Sequence, residues 1–184
     1  MSLKVAINGF GRIGRAVFRI IAERDSNLEV VAINDLADDE VLAYLLEYDS
    51  VMGPFTQEVE TSDGIMTVGK HRIRMLRETD PARLPWGELG VDVVIEATGV
   101  FRDRASLEKH LEAGAKRVVL TVPSKDPIDE TVVLGVNDDE LDPSDVIVSN
   151  ASCTTNCLAP VAKVLDDEFG IRRGVMTTVH AYTN

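Results

Sequence analysis

Both cysteines of the chain lie four residues apart, in Ser149-Asn-Ala-Ser-Cys-Thr-Thr-Asn-Cys-Leu-Ala-Pro160. Three chemistries could use such a pair: a metal site, a dithiol couple, or one reactive thiol with an inert neighbour. A zinc site takes three or four ligands. The three histidines, His71, His110 and His180, stand at no recognisable metal-ligand spacing from the cysteines, so no metal is expected. His71 reads as a residue of a solvated strand and His110 as one on the polar face of a helix. A redox pair is usually spaced Cys-x-x-Cys. Residues at i and i+4 of a helix share a face with Cα atoms roughly 6 Å apart and side chains running abreast, which disfavours a bridge. The nucleophile reading fits best. Cys153 follows a loop and opens a helix, where the positive end of the dipole favours a thiolate. Cys157, one turn on beside Leu158 and Val161, reads as a small buried hydrophobe. Pro160 should bend or interrupt that helix. His180, at the end of the apolar run from Val175 to Val179, is either an edge residue or the base that such a thiol needs.

A second constellation is Gly9-Phe-Gly-Arg-Ile-Gly14, which follows an apolar strand and opens a periodic helix. Asp35 stands 21 residues after Gly14, at the end of the next strand. Gly9 permits a tight turn, Gly11 lets the backbone approach a pyrophosphate, and Gly14 lets helix pack on strand. The helix start offers free N–H groups to phosphates. Asp35 should accept from the adenosine ribose hydroxyls and repel a 2′-phosphate, which favours NAD over NADP.

The elements that must position these residues follow from the apolar pattern. Strands are expected at Lys4 to Asn8, Glu29 to Ile33, Val91 to Ala97, Arg117 to Thr121, Thr131 to Leu134 and Asp145 to Ser149. Helices are expected through Val17, Ile20 and Ile21, after Asp38-Asp39, through Leu107 and Leu111, and after Ser149 with Ser152 or Cys153 at the cap. Between Phe55 and Leu76 the turn signals Asp63-Gly64 and Gly69-Lys70 mark an antiparallel hairpin insertion. The alternation predicts an α/β fold: a doubly wound, Rossmann-type parallel sheet carrying that insertion. Residues 1–150 read as one domain. Residues 151–184, with a strand expected at Gly174 to His180, read as the start of a second, α+β domain.

The 184 residues are 45% hydrophobic, with 19 basic and 31 acidic side chains and a net charge of -12. That composition suits a globular chain with its own core and speaks against nucleic-acid or anionic-membrane binding. The acidic runs Ala37-Asp-Asp-Glu40 and Asn137-Asp-Asp-Glu140 read as solvated helix starts. No signal peptide, membrane span or internal repeat is evident. Two cysteines are too few for a disulfide scaffold, so the expected compartment is the cytoplasm.

Ile7-Asn-Gly-Phe-Gly-Arg-Ile-Gly-Arg15, Ala151-Ser-Cys-Thr-Thr-Asn-Cys-Leu-Ala-Pro160 and Thr177-Thr-Val-His-Ala-Tyr-Thr183 together resemble the phosphorylating glyceraldehyde-3-phosphate dehydrogenase family. The likeness runs from Lys4 to Asn184. It implies Cys153 as nucleophile and His180 as its base. It also implies Gly9, Gly11, Arg12, Ile13, Gly14, Asp35, Thr79, Thr98, Gly99 and Thr121 around NAD, and Ser152, Thr154 and Thr183 at the substrate or phosphate. The activity implied is the glycolytic conversion of glyceraldehyde 3-phosphate, NAD and inorganic phosphate into 1,3-bisphosphoglycerate, in a homotetramer. Erythrose 4-phosphate oxidation is the neighbouring alternative, and a catalytically incompetent NAD-binding module is the alternative for these residues in isolation. Two departures stand out. Thr79 occupies the place of an arginine in the family's Glu-Arg-Asp-Pro, where a backbone contact would still serve, and Ala97 stands where many members carry serine. Family chains are nearly twice as long, so the resemblance implies that these residues are the first half of such an enzyme.

Overall fold

In the computed structural model, which describes residues 2–24 and 26–181, β1 (Leu3–Asn8) is the axis of the sheet. Successive strand residues point to opposite faces. Val5 and Ile7 accordingly enter a cluster with Phe10, Phe18 and Ile33, while Ala6 packs with Ala32, Val94 and the fully buried Trp86 on the other face. A strand buried on both faces reads as a continuous apolar run, as in parallel sheets covered by helices.

The other elements are α1 (Arg12–Glu23), β2 (Leu28–Asn34), α2 (Asp39–Glu47), β3 (Val59–Ser62), β4 (Ile65–Val68), β5 (His71–Leu76), the short α3 (Trp86–Leu89), β6 (Val93–Glu96), α4 (Arg104–Glu112), β7 (Arg117–Leu120), β8 (Glu130–Thr131), β9 (Ile147–Ser149) and α5 (Cys153–Phe169). The nine strands form one sheet in the order β3-β4-β5-β2-β1-β6-β7-β9-β8. From β5 to β8 all pairings are parallel. β3, β4 and β5 form the expected antiparallel meander. Asp63 and Gly64 both take positive φ, 53° and 72°, as a two-residue hairpin turn requires. The insertion is not a separate leaf, because β5 pairs directly with β2.

β2 lies on one side of β1 and β6 on the other, so the winding reverses between β1 and β6. A crevice opens outside the carboxyl ends of the strands at such a point. β9 is parallel to β7, β6 and β1, so the loop leading into α5 leaves from the same edge of the sheet.

Several expectations are corrected. The strand expected from Thr131 to Leu134 shrinks to Glu130–Thr131, with one further bond from the Val132 N–H to the Ser149 carbonyl. Residues 174–180 form no strand, and Val175 and Val179 are almost wholly exposed. A β-strand needs a neighbour to complete its hydrogen bonds, and no described residue supplies one. α5 runs unbroken through Pro160, which removes one N–H donor without ending the ladder. Its apolar side chains, Leu158, Val161, Val164, Leu165 and Phe169, are exposed, and none of its residues is buried. The α1 side of the sheet is also partly bare: Val93, Ile95, Val119 and Val148 line an open groove of about 430 Å³.

Both histidines assigned to polar surroundings are buried. His110 is bonded to Trp86 and Glu96. His71 packs edge-on against Phe18 with centroids 5.9 Å apart, and neither ring nitrogen has a partner. Burial pushes the His71 imidazole below its ordinary value of 6.5, with Lys70 adding to the effect and Glu29 opposing it. The unfolded chain therefore takes up this proton first. The stability contributed by neutral His71 is complete above about pH 6.5 and is lost as pH falls from there toward the depressed folded value. Urea unfolding at pH 7.5 and 5.5 should show a drop in midpoint on acidification that is clearly smaller in His71→Phe. Equal drops would remove His71 as a source of the acid sensitivity.

Candidate active site and cofactor pocket

The first site is a pocket of about 400 Å³ at the switch point. Its walls are the ends of three strands and one loop: Asn8, Gly9 and Gly11 after β1, Asn34 to Leu36 after β2, Ala97 and Thr98 with Val100 and Phe101 after β6, and Glu78 with Thr79. Gly9 adopts φ +91°, and a Cβ there would lie 2.6 Å from the Thr98 nitrogen. A Cβ on Gly14 would lie 2.2 Å from the Gly9 carbonyl oxygen. Gly11 is different: nothing comes within 4 Å of the place a Cβ would take. The first and third glycines are thus required by the protein's own packing, and the second leaves an opening onto the pocket. α1 begins there with no side-chain cap, so the first-turn N–H groups are not satisfied by a capping side chain.

Asp35 is anchored by its own loop. Its Oδ2 accepts from the Phe10 N–H at 2.7 Å and its Oδ1 from the Ala37 N–H at 3.0 Å. Each carboxylate oxygen has a second lone pair to offer into the pocket it lines. Thr79 also lines the pocket, but its N–H is taken by the Glu78 carboxylate at 2.8 Å. Of its backbone, the carbonyl alone is left for the contact that its position suggested. The N–H of Asp80, then that of Thr79, with Arg83 nearby, holds the Glu78 carboxyl below its ordinary value.

Of the ten residues expected around the cofactor, Gly9, Gly11, Asp35, Thr79 and Thr98 line this pocket. Gly14 lies beneath it. Arg12, Ile13 and Gly99 are exposed and do not line it. Thr121 is not in the pocket: its N–H and Oγ1 both bond the Glu96 carbonyl at 3.1 Å, and it lines the open groove on the sheet face. Asn8, Asn34, Glu78 and Phe101 were not anticipated. A polar residue at the carboxyl end of each of two apolar strands, Asn8 and Asn34, was the signal that could have found the first two.

The second site is built on the turn from β9 into α5. Ala151 takes φ +54°, unusual for a residue with a Cβ, and its amide donates to the Ser149 Oγ at 3.1 Å. Ser152 caps the helix, accepting from the Thr155 N–H at 2.9 Å. From one turn inside, Asn156 Nδ2 donates to the carbonyls of Asn150 at 2.7 Å and Ser152 at 3.0 Å. Cys153 is the first helical residue, and its Sγ lies 3.0 Å from His180 Nε2. His180 Nδ1 lies 2.7 Å from the Ala181 carbonyl, which only accepts, so Nδ1 carries a proton and Nε2 is free to exchange one with sulfur. The hydrogen bond and charge of His180, followed by contacts with Thr154, hold the Cys153 thiol below its ordinary value. The same bond to Cys153, with that to Ala181, raises His180. Among the described residues no group of acidic, cysteine or histidine side chains could hold a metal.

Cys157 is exposed, against the expectation that it is buried, because no described residue packs on that face of α5. Ser152 is committed to its cap and to a 2.7 Å contact with Thr155 Oγ1, Thr154 is half-buried beside the thiol, and Thr183 lies outside the described residues.

Residues 3–104 match the model of the glyceraldehyde 3-phosphate dehydrogenase NAD-binding domain, and residues 152–184 match that of the C-terminal domain. The chain belongs to the glyceraldehyde-3-phosphate dehydrogenase family. It is 54% identical over 185 residues to the glyceraldehyde-3-phosphate dehydrogenase of Streptomyces coelicolor, covering 100% of this chain and 55% of that one. It is 56% identical over 181 residues to that of Chlamydia trachomatis, covering 98% and 54%, and 56% identical over 187 residues to that of Borreliella burgdorferi, covering 99% and 55%. The chain spans about half the length of the curated relatives it matches. The match of residues 3–104 to the family's NAD-binding domain gives NAD as the cofactor of this chain. No described helix is long and apolar enough to cross a membrane.

With both thiols exposed, their selectivity must come from ionisation rather than shielding. Limiting iodoacetamide at pH 7 followed by peptide mapping should label Cys153 well ahead of Cys157. That lead should shrink in His180→Asn, and also in the unaltered chain as pH rises and both thiols ionise. Preferential label on Cys157 at pH 7 would overturn the assignment.

Proposed function

We propose that the protein carrying this chain oxidises glyceraldehyde 3-phosphate to 1,3-bisphosphoglycerate, as in glycolysis, with Cys153 as nucleophile and His180 as acid–base partner. The observation that carries the proposal is the 3.0 Å approach of Cys153 Sγ to His180 Nε2 at the start of α5. The Cys153 thiolate adds to the aldehyde carbon, the carbonyl oxygen takes the Nε2 proton of the paired His180 imidazolium, and a thiohemiacetal forms. His180 Nε2 takes the proton of the new hydroxyl as the carbon is oxidised. The Cys153 N–H, at the helix start, donates to the oxyanion. The acyl group stays on sulfur as a thioester, which conserves the oxidation energy that hydrolysis would release. A phosphate oxygen then attacks the thioester carbon, the C–S bond breaks, and the thiolate returns beside protonated His180.

Gly11, Asp35, Thr79 and Thr98 would hold NAD, with Arg12, Ile13 and Gly99 at the mouth, and NAD when bound supplies the hydride acceptor. The bare Gly11 and the free lone pairs of Asp35 suit a dinucleotide. Thr121, on the sheet face beside the groove, is assigned to the cofactor as well. Ser152 and Thr154, with Thr183, are assigned to the substrate and phosphate side. We place the boundary between the cofactor domain, 1–150, and the catalytic domain, 151–184, at the Ala151 turn. The exposed apolar face of α5 supports both that division and assembly into a homotetramer, and a cytoplasmic location suits two free thiols. The same bare face supports a second reading for residues 1–184 in isolation, a module that binds NAD without turnover.

NADH formation by the intact protein should require glyceraldehyde 3-phosphate and inorganic phosphate together. His180→Asn should lower kcat by about 10²- to 10⁴-fold, the usual range for loss of a general acid–base group, and Cys153→Ser should abolish acyl-enzyme formation. A higher kcat/KM for erythrose 4-phosphate would replace the substrate, and full activity in Cys153→Ser would overturn the mechanism. In equilibrium titrations Asp35→Ala should narrow the preference for NAD over NADP. Equal affinity of the unaltered protein for both would remove Asp35 as the discriminating residue.

A further inference from the structure

Glu96, the last residue of β6, is fully buried and makes no contact with a lysine or arginine among the described residues. Four donors converge on it. Oε2 receives Asn8 Nδ2 at 2.5 Å and faces His110 Nε2 at 3.1 Å. Oε1 receives the Thr98 N–H at 2.8 Å and the Thr98 hydroxyl.

The direction of each bond is fixed from outside. Trp86 Nε1 can only donate, and it lies 3.0 Å from His110 Nδ1. Nδ1 is therefore the acceptor, the ring is neutral, and its proton sits on Nε2, aimed at Glu96. On the other side, the Glu78 peptide pins Asn34: Asn34 Nδ2 donates to the Glu78 carbonyl at 2.9 Å and Asn34 Oδ1 accepts the Glu78 N–H at 2.8 Å. Asn34 Nδ2 also donates to Asn8 Oδ1 at 2.7 Å, so Asn8 must turn its amide nitrogen to Glu96. On Oε1 the Thr98 N–H can only donate, and the Thr98 Oγ1, which accepts the Val100 N–H at 3.1 Å, has its own proton to give to Glu96. Each path arrives as a donor, and only an ionised carboxylate accepts them all.

We infer that Glu96, held by His110, is a positioning residue for the dinucleotide pocket: one buried carboxylate locks the Thr98 wall to the Asn8–Asn34–Glu78 wall. The inference rests on the assignment of that pocket to NAD and adds what fixes its shape. Asn8, Asn34, Glu78 and Thr98 all line the pocket, and Glu96 and His110 do not. A glutamine at 96 has one amide that must meet donors on one side, whichever way it turns. An unpaired buried donor is costly, so the pocket should relax rather than keep it, with about a tenfold loss of affinity.

The test is NAD titration of the intact protein, with thermal unfolding of the same samples. Glu96→Gln and His110→Leu should each raise the Kd and the KM for NAD about tenfold while kcat at saturating NAD stays within about twofold. His110→Gln, which can accept from Trp86 and donate to Glu96, should restore the Kd to within about threefold of the unaltered protein. A fall in Tm with an unchanged Kd in the folded variants would make the network merely structural and overturn the inference. Failure of His110→Gln to rescue where His110→Leu is impaired would also overturn it. If Glu96→Gln does not fold, the His110 pair decides alone. Absence of NAD binding by the unaltered protein would instead strike the cofactor assignment itself.

Discussion

A Cβ on Gly14 would sit 2.2 Å from the Gly9 carbonyl oxygen, and a Cβ on Gly9 2.6 Å from the Thr98 nitrogen. α1, β1 and the strand end of β6 meet at one point, and they can meet only because two side chains are absent. That closeness sets where the crevice opens, brings the first turn of α1 to its rim, and leaves Gly11 as the bare stretch of backbone facing it. It also places Thr98 within reach of the buried carboxylate that organises the pocket floor. Replacing either glycine would force whole elements apart, because the atoms in the way belong to backbone rather than to a side chain that can swing aside.

The two candidate sites share an edge of the sheet because every strand from β5 to β8 runs the same way. Parallel strands place all their carboxyl ends together. The β1, β2 and β6 ends form the switch-point pocket, and the β9 end launches the Cys153 turn. The placement of the Cys153–His180 pair depends on two kinds of support: a local one, in which Ser152 and Asn156 fix the turn, and a distant one, in which His180 is brought back along a segment with no strand partner among the described residues. The first is built from contacts within seven residues of chain. The second places an imidazole beside the thiol with no packed element beneath it among the described residues.

The sheet, the glycine fingerprint and the place of Cys153 were legible in the sequence because each rests on a local signal: a strand period, a turn residue, a helix cap. The failures are equally physical. His71 and His110 were read from their own elements, and burial depends on what packs across from them: Phe18 in one case, Trp86 and Glu96 in the other. Cys157 was read as core because its neighbours are apolar, yet an apolar helix face is buried only if something covers it. The strand expected at 174–180 failed for the same reason. Glu96 gave no sign at all, since an acid at the end of an apolar strand looks like a solvated cap until its four donors are seen.

Ala151 holds a left-handed conformation that glycine would adopt without strain, and its methyl group is buried, only 4% exposed. For a residue with a Cβ that conformation costs about 1–2 kcal/mol. It also occupies a small, steep-walled region of conformational space, where glycine would have a broad one. The hinge between β9 and α5 is thus stiff. Angular wander at position 151 is magnified at a sulfur atom two residues further on, so a narrow well there keeps the direction in which that sulfur points nearly constant.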